Sequence, residues 1–487
     1  MSKYYVATSI PYVNAEPHIG FAMELLYGDV LARRARQLGH EVIFSTGSDE
    51  HGGKIAEKAA EAGIDAKKFA DGVSKKFQDL TQLLNVSNNR FIRTTDAGHE
   101  QRAKLIWKSL EKDIYKDKYK GWYCTGDEAF FSEKEVKANN GICPNHNRPY
   151  EQIEEENYFF KLSNYTDAIN KAIVTGEYFI IPETRRNEIL GLLKNGLEDI
   201  SISRPKDKIG WGIPVPGDSK QVMYVWFEAL MNYITVLGYP EHEDFKNYWP
   251  AQVQVIGKDI LRFHAAVWPA MLMSLGVTLP KVLYVHGFIT VDGKKMSKTL
   301  KNVISPSEIV DKYGVDPFRY YFLRHVPSYD DGDFSWDRME AVYNNELANE
   351  LGNAVQRTTA MIVKYQQGQV GELPEVGHDI AQYQEALAAC RFDRALDEVW
   401  EQVRGLNQYI EEEKPWVIAS EGDPDHLREV MAFQVSTLLN IATLLEPFMP
   451  ETALKIKAIF ADGVVKPIKE TLFPKHETKP KPKVVAK

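Results

Sequence analysis

The chain has 487 residues, of which 44% are hydrophobic and 26% charged, a balance typical of globular proteins in water. Roughly three or four structural units are expected at this length. The net charge of −9 argues against a general nucleic-acid coat protein but not against an RNA enzyme, because phosphate binding depends on local basic surfaces. Three cysteines cannot form a disulfide scaffold. No apolar run approaches the roughly 20 residues of a membrane helix, and strand-like sequence begins without a signal peptide, so we expect a cytoplasmic protein without membrane contact.

The N-terminal segments alternate between strand and helix patterns. Residues 4–8 and 41–45 are short and β-rich, whereas 21–38 and 55–62 have apolar residues at helical spacing. Such alternation is typical of a parallel sheet, which binds ligands at the carboxyl ends of its strands.

The pattern changes twice further along the chain. Residues 118–217 combine short strands, glycine turns and a Cys/His cluster, which predicts an insertion within the α/β domain. Strand-like sequence returns at 222–226, 253–257 and 283–287, and Ser305-Pro306-Ser307-Glu308 predicts a capped helix start. Beyond about residue 340 the apolar period is helical throughout.

Pro17-His18-Ile19-Gly20 lies between a predicted strand and the start of a helix. In an α/β fold, free backbone N–H groups and the positive end of the helix attract phosphate there. Gly20 allows close approach of a ligand, and His18 supplies a hydrogen-bond donor. Taken alone, the segment is explained more simply by His18 capping the helix and Gly20 packing it against a strand.

Lysines follow an Asp-Gly turn at residues 292–299, Asp-Gly-Lys-Lys-Met-Ser-Lys-Thr. Composition alone predicts a solvated hairpin here. Together with 17–20, however, 295–299 resembles the two phosphate motifs of class I aminoacyl-tRNA synthetases, specifically the methionyl-tRNA synthetases. The segments 5–14 and 47–52 support this resemblance, which covers essentially the whole chain apart from its tail. The chain departs from the family's His-Ile-Gly-His and Lys-Met-Ser-Lys-Ser motifs at Phe21 and at Thr299.

The resemblance implies an α/β protein with a Rossmann-like parallel-sheet catalytic domain and a connective insertion, followed by an all-α helical bundle. Its predicted divisions are 1–117 and 218–290 for the catalytic domain, 118–217 for the insertion, 291–340 for a stem-contact region carrying the lysine loop, 341–475 for an anticodon-binding bundle and 476–487 for a disordered basic tail. The implied reaction is activation of methionine with ATP and Mg²⁺, then transfer to methionine tRNA.

The resemblance also assigns the nucleotide site. His18, Lys295 and Lys298 are expected to stabilise charge in the activation transition state, which requires positioning and electrostatics rather than a protein nucleophile. Contacts to ATP are expected from His18, Gly20, Gly257, Asp259, His286, Gly287, Lys295, Met296 and Lys298. Because Phe21 replaces the motif's last imidazole, more of the phosphate stabilisation is expected from Lys295, Lys298 and Mg²⁺.

The implied methionine pocket has aromatic walls and few hydrogen-bonding groups, which suits a thioether. Its expected residues are Ile10, Tyr12, Asp49, Trp226, Ala229, Leu230, Tyr233 and His264. Asp49 is expected to receive the substrate ammonium group, and Glu228 replaces the family's more usual Asp. For Tyr12, Trp226 or Tyr233 alone, core packing is the simpler interpretation, and only the ordered set favours a pocket.

Two residue pairs in the insertion have knuckle spacing: Cys124 with Asp127, and Cys143 with His146. The resemblance implies Zn²⁺ at such a knuckle, although Asp127 is less typical than Cys or His. A metal-free knuckle held by hydrogen bonds and apolar packing stays equally open. The insertion is too short to hold a large editing domain as well.

In the helical region, Asn353 and Arg357 are four residues apart and so share one helical face. The resemblance implies that they read the anticodon while Trp416 stacks on an unpaired base. Local sequence alone favours a surface polar pair and a helix-start contact. A monomer is expected, and the alternatives for the whole chain are another class I synthetase and a catalytically weakened tRNA-binding paralogue.

Overall fold

The structure, a computed structural model, describes residues 2–126, 129–144, 147–296, 302–375, 379–461 and 463–476. The chain divides into two units, Met1–Phe288 (unit 1) and Ile289–Lys487 (unit 2). In the described ranges, no helix is long and apolar enough to cross a membrane.

The first part of unit 1 alternates strands and helices as predicted. Its elements are β1 (Lys3–Thr8), α1 (Ile19–Gln37), β2 (Glu41–Ser48), α2 (Gly53–Glu61), α3 (Ala66–Leu83), β3 (Arg90–Arg93) and α4 (Ala97–Ser109).

The middle part consists mainly of short strands. Its elements are β4 (Ile114–Cys124), β5 (Ala129–Phe131), α5 (Glu133–Ala138), β6 (Ile142–Cys143), β7 (Arg148–Pro149), β8 (Glu151–Phe160), α6 (Thr166–Thr175), β9 (Phe179–Ile181), α7 (Glu183–Lys194), β10 (Ile200–Ser201), β11 (Ser203–Pro205), α8 (Lys206–Ile209), β12 (Pro214–Val215) and β13 (Asp218–Met223).

The last part of unit 1 returns to the α/β pattern. It contains α9 (Val225–Ala229), α10 (Asn232–Thr235), α11 (Glu243–Tyr248), β14 (Val253–Gly257), a π-helical stretch (Phe263–Val267), α12 (Trp268–Leu275) and β15 (Val282–His286).

A six-stranded parallel sheet in the order β3-β2-β1-β14-β15-β9 organises unit 1. Every residue of β14 is buried, as expected for a parallel strand covered on both faces. The chain progresses outward from β1 in one direction through β2 and β3, and in the other through β14 and β15. Ligands of such folds bind at the carboxyl ends of the strands beside this switch point, and the predicted Rossmann-like fold is confirmed.

The stretch 114–223, which contains the segment predicted as an insertion (118–217), forms two antiparallel sheets, β10-β8-β4-β5 and β11-β13-β12, and the short hairpin β6-β7. It also supplies β9, the edge strand of the large parallel sheet. The predicted strand at 222–226 was wrong in its second half, because β13 ends at Met223 and α9 begins at Val225. A short apolar run in a buried helix has the same composition as a buried strand.

Unit 2 begins with a small sheet, β17-β16-β18, and continues almost entirely as helices. Its elements are β16 (Ile289–Val291), β17 (Lys294–Lys295), α13 (Pro306–Tyr313), α14 (Val315–Arg324), β18 (Gly332–Phe334), α15 (Trp336–Val342), a π-helical stretch (Tyr343–Gly352), α16 (Asn353–Gln366), α17 (Ala381–Ala388), α18 (Phe392–Glu413), α19 (Pro415–Glu421), α20 (Pro424–Leu445) and α21 (Pro450–Phe460).

The predicted capped start of α13 is confirmed, with Ser305 as the N-cap and Glu308 accepting from its backbone N–H at 3.1 Å. In α18, the buried residues Leu396, Val399 and Val403 recur at helical spacing, which gives the helix one apolar face toward its neighbours in the bundle.

Candidate active site

The carboxyl ends of β1, β14 and β15 bring three predicted segments together. The backbone N–H of Ser9, just after β1, donates to the carbonyl oxygen of Val255 in β14 at 2.9 Å. Gly257 and His286 are paired in register at the ends of β14 and β15. A Cβ atom at Gly257 would lie 2.7 Å from Oδ1 of Asp259, so the absence of a side chain at Gly257 leaves room for the Asp259 carboxylate in its present position.

Glu24 in α1 joins the ends of β1 and β15 through its side chain, and the sequence did not predict this role. One of its carboxylate oxygens accepts from the Ser9 hydroxyl at 2.6 Å, and the other lies 3.0 Å from Nε2 of His286. Burial alone would lower the pKa of His286, but the hydrogen bond and charge of Glu24 outweigh it and raise that pKa. The sequence signal that could have identified Glu24 is the presence of a carboxylate within the apolar, buried part of α1.

His18 is the N-cap of α1, with Nδ1 accepting from the backbone N–H of Gly20 at 3.1 Å. Burial lowers the pKa of His18, so the ring is neutral at physiological pH. Because Nδ1 accepts a hydrogen bond, the proton of the neutral ring resides on Nε2, which is then a donor. The capping interpretation is therefore correct for this structure, and it is compatible with a donor role for Nε2.

Phe21, where the family motif has its last imidazole, packs into an apolar cluster. Its ring meets Phe77 edge-on at a centroid distance of 5.1 Å, and the cluster also includes Val13, Ile55 and Ala70. The phenyl ring contributes packing between α1 and α3 but offers no hydrogen-bond donor to a phosphate.

A small cleft with about 280 Å³ of empty space, its open mouth included, lies beside the end of β1. Seven of the eight residues predicted for the methionine pocket line it: Ile10, Asp49, Trp226, Ala229, Leu230, Tyr233 and His264. The eighth, Tyr12, does not line the cleft but forms an isolated backbone bridge with Asp49. Ser9, Asn232 and Ile260 also line it, and no sequence signal distinguished them from ordinary neighbours.

Tyr233 and His264, here called the floor of the cleft, are both uncharged. Nδ1 of His264 lies 3.0 Å from the carbonyl oxygen of Ile260, to which it donates, and so Nε2 accepts from the Tyr233 hydroxyl at 2.8 Å. Burial lowers the pKa of His264 to about 4 and raises that of Tyr233 well above its usual value. Trp226 and Phe263 stack at 4.7 Å with an interplanar angle of 11°. An uncharged, polarizable wall of this kind suits a thioether.

Asp49 is the one carboxylate among the described residues that line the cleft. Its backbone N–H donates to the carbonyl oxygen of Pro11 at 2.9 Å, and its carbonyl oxygen accepts from the backbone N–H of Val13 at 3.0 Å. These two bonds fix the loop that carries Asp49. The neighbouring Glu50 pairs through both oxygens with Arg93, at 2.6 and 2.7 Å. Burial would raise the pKa of Glu50, but its bonds to Arg93 lower it overall, so its charge is compensated.

The lysine loop begins in unit 2 with a tight hairpin. Asp292 and Gly293, both with positive φ (50° and 72°), join β16 to β17, where Thr290 pairs with Lys295. Two central residues with positive φ are typical of a type I′ turn, so the predicted hairpin is confirmed. Lys295 is exposed and Met296 follows it, whereas Lys298 lies outside the described residues.

Two of the four predicted zinc ligands are described. Cys124 and Cys143 are both fully buried in one small cluster with Val136 and Tyr150. Two sulphur donors shielded from water suit Zn²⁺. Asp127 and His146 lie outside the described residues, and within the described part of the chain no group of three ligands forms a metal site, so zinc stays a prediction.

Two of the three predicted anticodon residues meet in unit 2. The Arg357 guanidinium lies 5.7 Å from the centre of the Trp416 ring and 2.7 Å from a carboxylate oxygen of Glu411. Trp416 is 37% exposed, enough for its indole to meet a base. Asn353, also exposed, begins α16 one turn before Arg357.

Comparisons with known proteins agree on one family. The family model described as tRNA synthetases class I (M) matches residues 4–152 and 147–359. A methionine--tRNA ligase of Thermotoga maritima is 41% identical over 470 residues, which cover 93% of this chain and 74% of that protein. A methionine--tRNA ligase of Brucella melitensis is 42% identical over 475 residues, covering 94% of this chain and 92% of that protein.

A solved structure gives the same result. The Mycobacterium tuberculosis methionyl-tRNA synthetase in complex with methionyl-adenylate superimposes with a TM-score of 0.91 and 39% sequence identity, covering 97% of this chain and all of that one. Likeness in sequence and fold over nearly the whole length means that the chain belongs to the methionyl-tRNA synthetases, a family of class I aminoacyl-tRNA synthetases.

Proposed function

We propose that this chain is an enzyme that converts methionine and ATP to methionyl-adenylate and pyrophosphate. It then transfers the methionyl group to the terminal adenosine of methionine tRNA, with release of AMP. The observation that carries the proposal is the cleft beside the switch point of the sheet, which has neutral apolar and aromatic walls and, among the described residues that line it, one carboxylate, Asp49. Family membership supports the same reaction.

In the proposed binding mode, the Asp49 carboxylate receives the ammonium group of methionine. The thioether packs against Trp226, Leu230 and Tyr233, where dispersion contacts dominate. Tyr12 acts through the backbone bridge that holds the Asp49 loop. The nucleotide is proposed to bind at the neighbouring edge, against Gly20, Gly257, Asp259, His286 and Gly287.

In the activation step, a carboxylate oxygen of methionine bonds to the α-phosphorus of ATP as the bond to the β-phosphate oxygen breaks. Negative charge develops on the phosphoryl oxygens and on the departing pyrophosphate, and fixed positive groups stabilise it. We assign this role to the ammonium groups of Lys295 and Lys298, with the neutral His18 ring contributing its Nε2–H as a hydrogen-bond donor. Met296 of the same loop is proposed to contact ATP without taking part in charge stabilisation. Mg²⁺ arriving with ATP neutralises further phosphate charge. Since Phe21 has no donor, the lysines carry a larger share here.

For tRNA, we propose that Arg357 and Asn353 read base edges of the anticodon and that Trp416 stacks on an unpaired base. The juxtaposition of Arg357 and Trp416 supports this role. From its sequence, the protein is predicted to be monomeric and cytoplasmic. The molar mass measured by light scattering during size-exclusion chromatography tests whether it is a monomer.

The deciding experiment is ATP–pyrophosphate exchange with a panel of amino acids. We expect methionine to support exchange best. Close analogues should also be activated, though less well, because an enzyme discriminates one missing methylene by only about 1–3 kcal/mol. Preference for cysteine, leucine or another amino acid would indicate a different class I synthetase. Absence of exchange together with tRNA binding would indicate a catalytically weakened paralogue, the alternative that Phe21 favours.

Zinc at the knuckle is a separate prediction. If Cys124 and Cys143 bind the metal with Asp127 and His146, the purified protein contains about one zinc per chain and loses it on Cys124→Ser substitution. Elemental analysis of parent and variant decides the matter, and exchange assays with and without a chelator show whether the metal affects catalysis. A protein that folds and functions with no bound zinc has a metal-free knuckle.

A further inference from the structure

A buried carboxylate lies directly behind the cleft, and the proposed mechanism does not use it. Glu228 is on α9, between the lining residues Trp226 and Ala229, yet it does not itself line the cleft. Its side chain is fully buried. A buried carboxylate is destabilising unless it is paired and hydrogen-bonded, so its partners indicate what it does.

Glu228 contacts two histidines from different elements, and these three residues are here called the Glu228 cluster. One carboxylate oxygen lies 2.7 Å from Nδ1 of His51, and the other lies 2.9 Å from Nε2 of His99. His51 lies in the segment between β2 and α2, two residues after Asp49, and His99 lies on α4. The carboxylate therefore connects α9, which contributes Trp226 and Ala229 to the cleft, to the loop that carries Asp49.

Hydrogen bonds hold the cluster together, and its geometry is not that of a metal site. Burial by itself would raise the pKa of Glu228, but the charges and hydrogen bonds of His51 and His99 outweigh this effect and hold that pKa below its usual value. Both histidine rings direct a nitrogen at the same carboxylate, and this leaves no shared position for a cation. In the described residues, no group of three His, Cys, Asp or Glu side chains could hold a metal.

The segment around His51 is held on its other side as well. The His51 ring packs against Trp211 at a centroid distance of 5.3 Å. The Trp211 indole N–H donates to the carbonyl oxygen of Glu50 at 2.6 Å, and its own carbonyl oxygen accepts from Gly52 at 3.1 Å. Tilting of His51 would thus displace the backbone from Glu50 to Gly52, immediately next to Asp49.

We propose that Glu228 is a positioning residue for methionine: acting through His51, it sets the distance between the Asp49 carboxylate and the α9 wall of the cleft. This inference rests on the proposed function and adds a residue that touches no substrate. Its bond to His99 anchors the carboxylate to α4, where Nδ1 of His99 lies 2.8 Å from the Thr235 hydroxyl, whereas the bond to His51 transmits the position to Asp49.

The test compares variants on both sides of the Glu228–His51 bond by ATP–pyrophosphate exchange. Glu228→Gln removes the charge and turns an amide group toward one of the two histidines. We expect it to raise the KM for methionine at least tenfold while the KM for ATP changes less than twofold. His51→Gln, whose amide reaches the place of Nε2 rather than Nδ1, is expected to do the same and serves if Glu228→Gln does not fold.

Two matched controls separate positioning from stability. The amide of the His51→Asn variant reaches the place of Nδ1 and keeps the bond to Glu228. The KM of this variant for methionine should therefore stay within threefold of the parent's. His99→Asn loses its bond to Glu228 but leaves the His51 bond intact, so we expect a lower melting temperature with an unchanged KM for methionine. In the double variant Glu228→Gln/His51→Gln, the increases in the KM for methionine should not multiply, because both substitutions remove the same contact, the Glu228–His51 hydrogen bond.

Each outcome is decisive. A Glu228→Gln enzyme with a lower melting temperature but the parent's KM for methionine would overturn the proposal, as would equal rises in KM for methionine and ATP. If His51→Asn is as impaired as His51→Gln, the Nδ1 contact is not what matters and the proposal is wrong. Absence of methionine-dependent exchange in the parent itself would refute the proposed function, and the positioning role with it.

Discussion

The Tyr233 hydroxyl lies 2.8 Å from Nε2 of His264, and this bond fixes the hydrogen-bonding pattern at the floor of the cleft. Since Nδ1 of His264 donates to the Ile260 carbonyl oxygen at 3.0 Å, the ring is the neutral Nδ1–H tautomer and Nε2 can only accept. The floor then presents no charge to a bound side chain. This arrangement favours a thioether over a charged or strongly polar group.

Tyr233→Phe leaves Nε2 of His264 as a buried acceptor without its donor. Such a group costs the folded protein about 1–3 kcal/mol, which favours rotation of the ring toward another partner. Because His264 lines the cleft, this rotation would change the surface that methionine meets, and we expect the KM for methionine in pyrophosphate exchange to rise about tenfold, equivalent to about 1.4 kcal/mol. Tyr178→Phe is the matched control, because its hydroxyl donates at 2.8 Å to the backbone carbonyl of His264 rather than to the ring. An unchanged KM in the Tyr233 variant would exclude this bond from methionine binding.

His264 also predicts how stability depends on pH. Burial lowers its pKa from 6.5 to about 4 in the folded protein, so between these values the unfolded chain binds a proton that the folded chain does not. The contribution of His264 is therefore fully present above pH 6.5 and is lost as the pH falls toward 4, by up to roughly 3 kcal/mol.

The measurement is the free energy of unfolding by urea from pH 7.5 to 4.5. Relative to the parent, His264→Asn should lose less stability on acidification. His242→Asn is the control, since His242 is an exposed N-cap of α11 and Asn is a good N-cap residue. Parallel curves for the parent and His264→Asn would show that this histidine does not drive the loss.

Lys298→Ala tests the lysine loop. If its ammonium group stabilises the developing pyrophosphate charge, the rate of methionyl-adenylate formation should fall by about 10²–10³-fold, whereas methionine affinity should change little. Lys294→Ala removes an equal charge from β17 outside the matched motif and should stay within a fewfold of the parent. Equal exchange rates for Lys298→Ala and the parent would contradict the role.

Arg357→Ala and Trp416→Ala test the anticodon proposal. Stacking of one base on an aromatic ring contributes about 1–3 kcal/mol, so each variant should raise the KM for methionine tRNA by roughly 10–100-fold and leave pyrophosphate exchange unchanged. Lys364→Ala, farther along α16, controls for loss of positive charge. If that control weakens tRNA binding as much as Arg357→Ala, the effect is general electrostatics rather than reading of a base.

The sequence determined the strands and helices of the sheet domain and the residues that come together at its ligand-binding edge. The parallel strands carry short apolar runs, the helices between them have apolar residues at helical spacing, and the order β1, α1, β2 leaves few ways to build the sheet. The segments around Ile10, Asp49, Trp226 and His264 lie far apart in the chain. Their resemblance, in order, to segments of one family assigned them to a common pocket, and seven of the eight predicted residues surround one cleft.

Tertiary structure alone decided the hydrogen bonds and protonation states behind those residues. The pKa of His264 depends on burial, and that of Glu228 on histidines 177 and 129 positions away, so no local pattern encodes either. The same holds for Glu24, whose partner His286 lies 262 positions away in the chain. A motif specifies which side chain occurs, but its charge and direction arise from contacts that exist only in the folded chain.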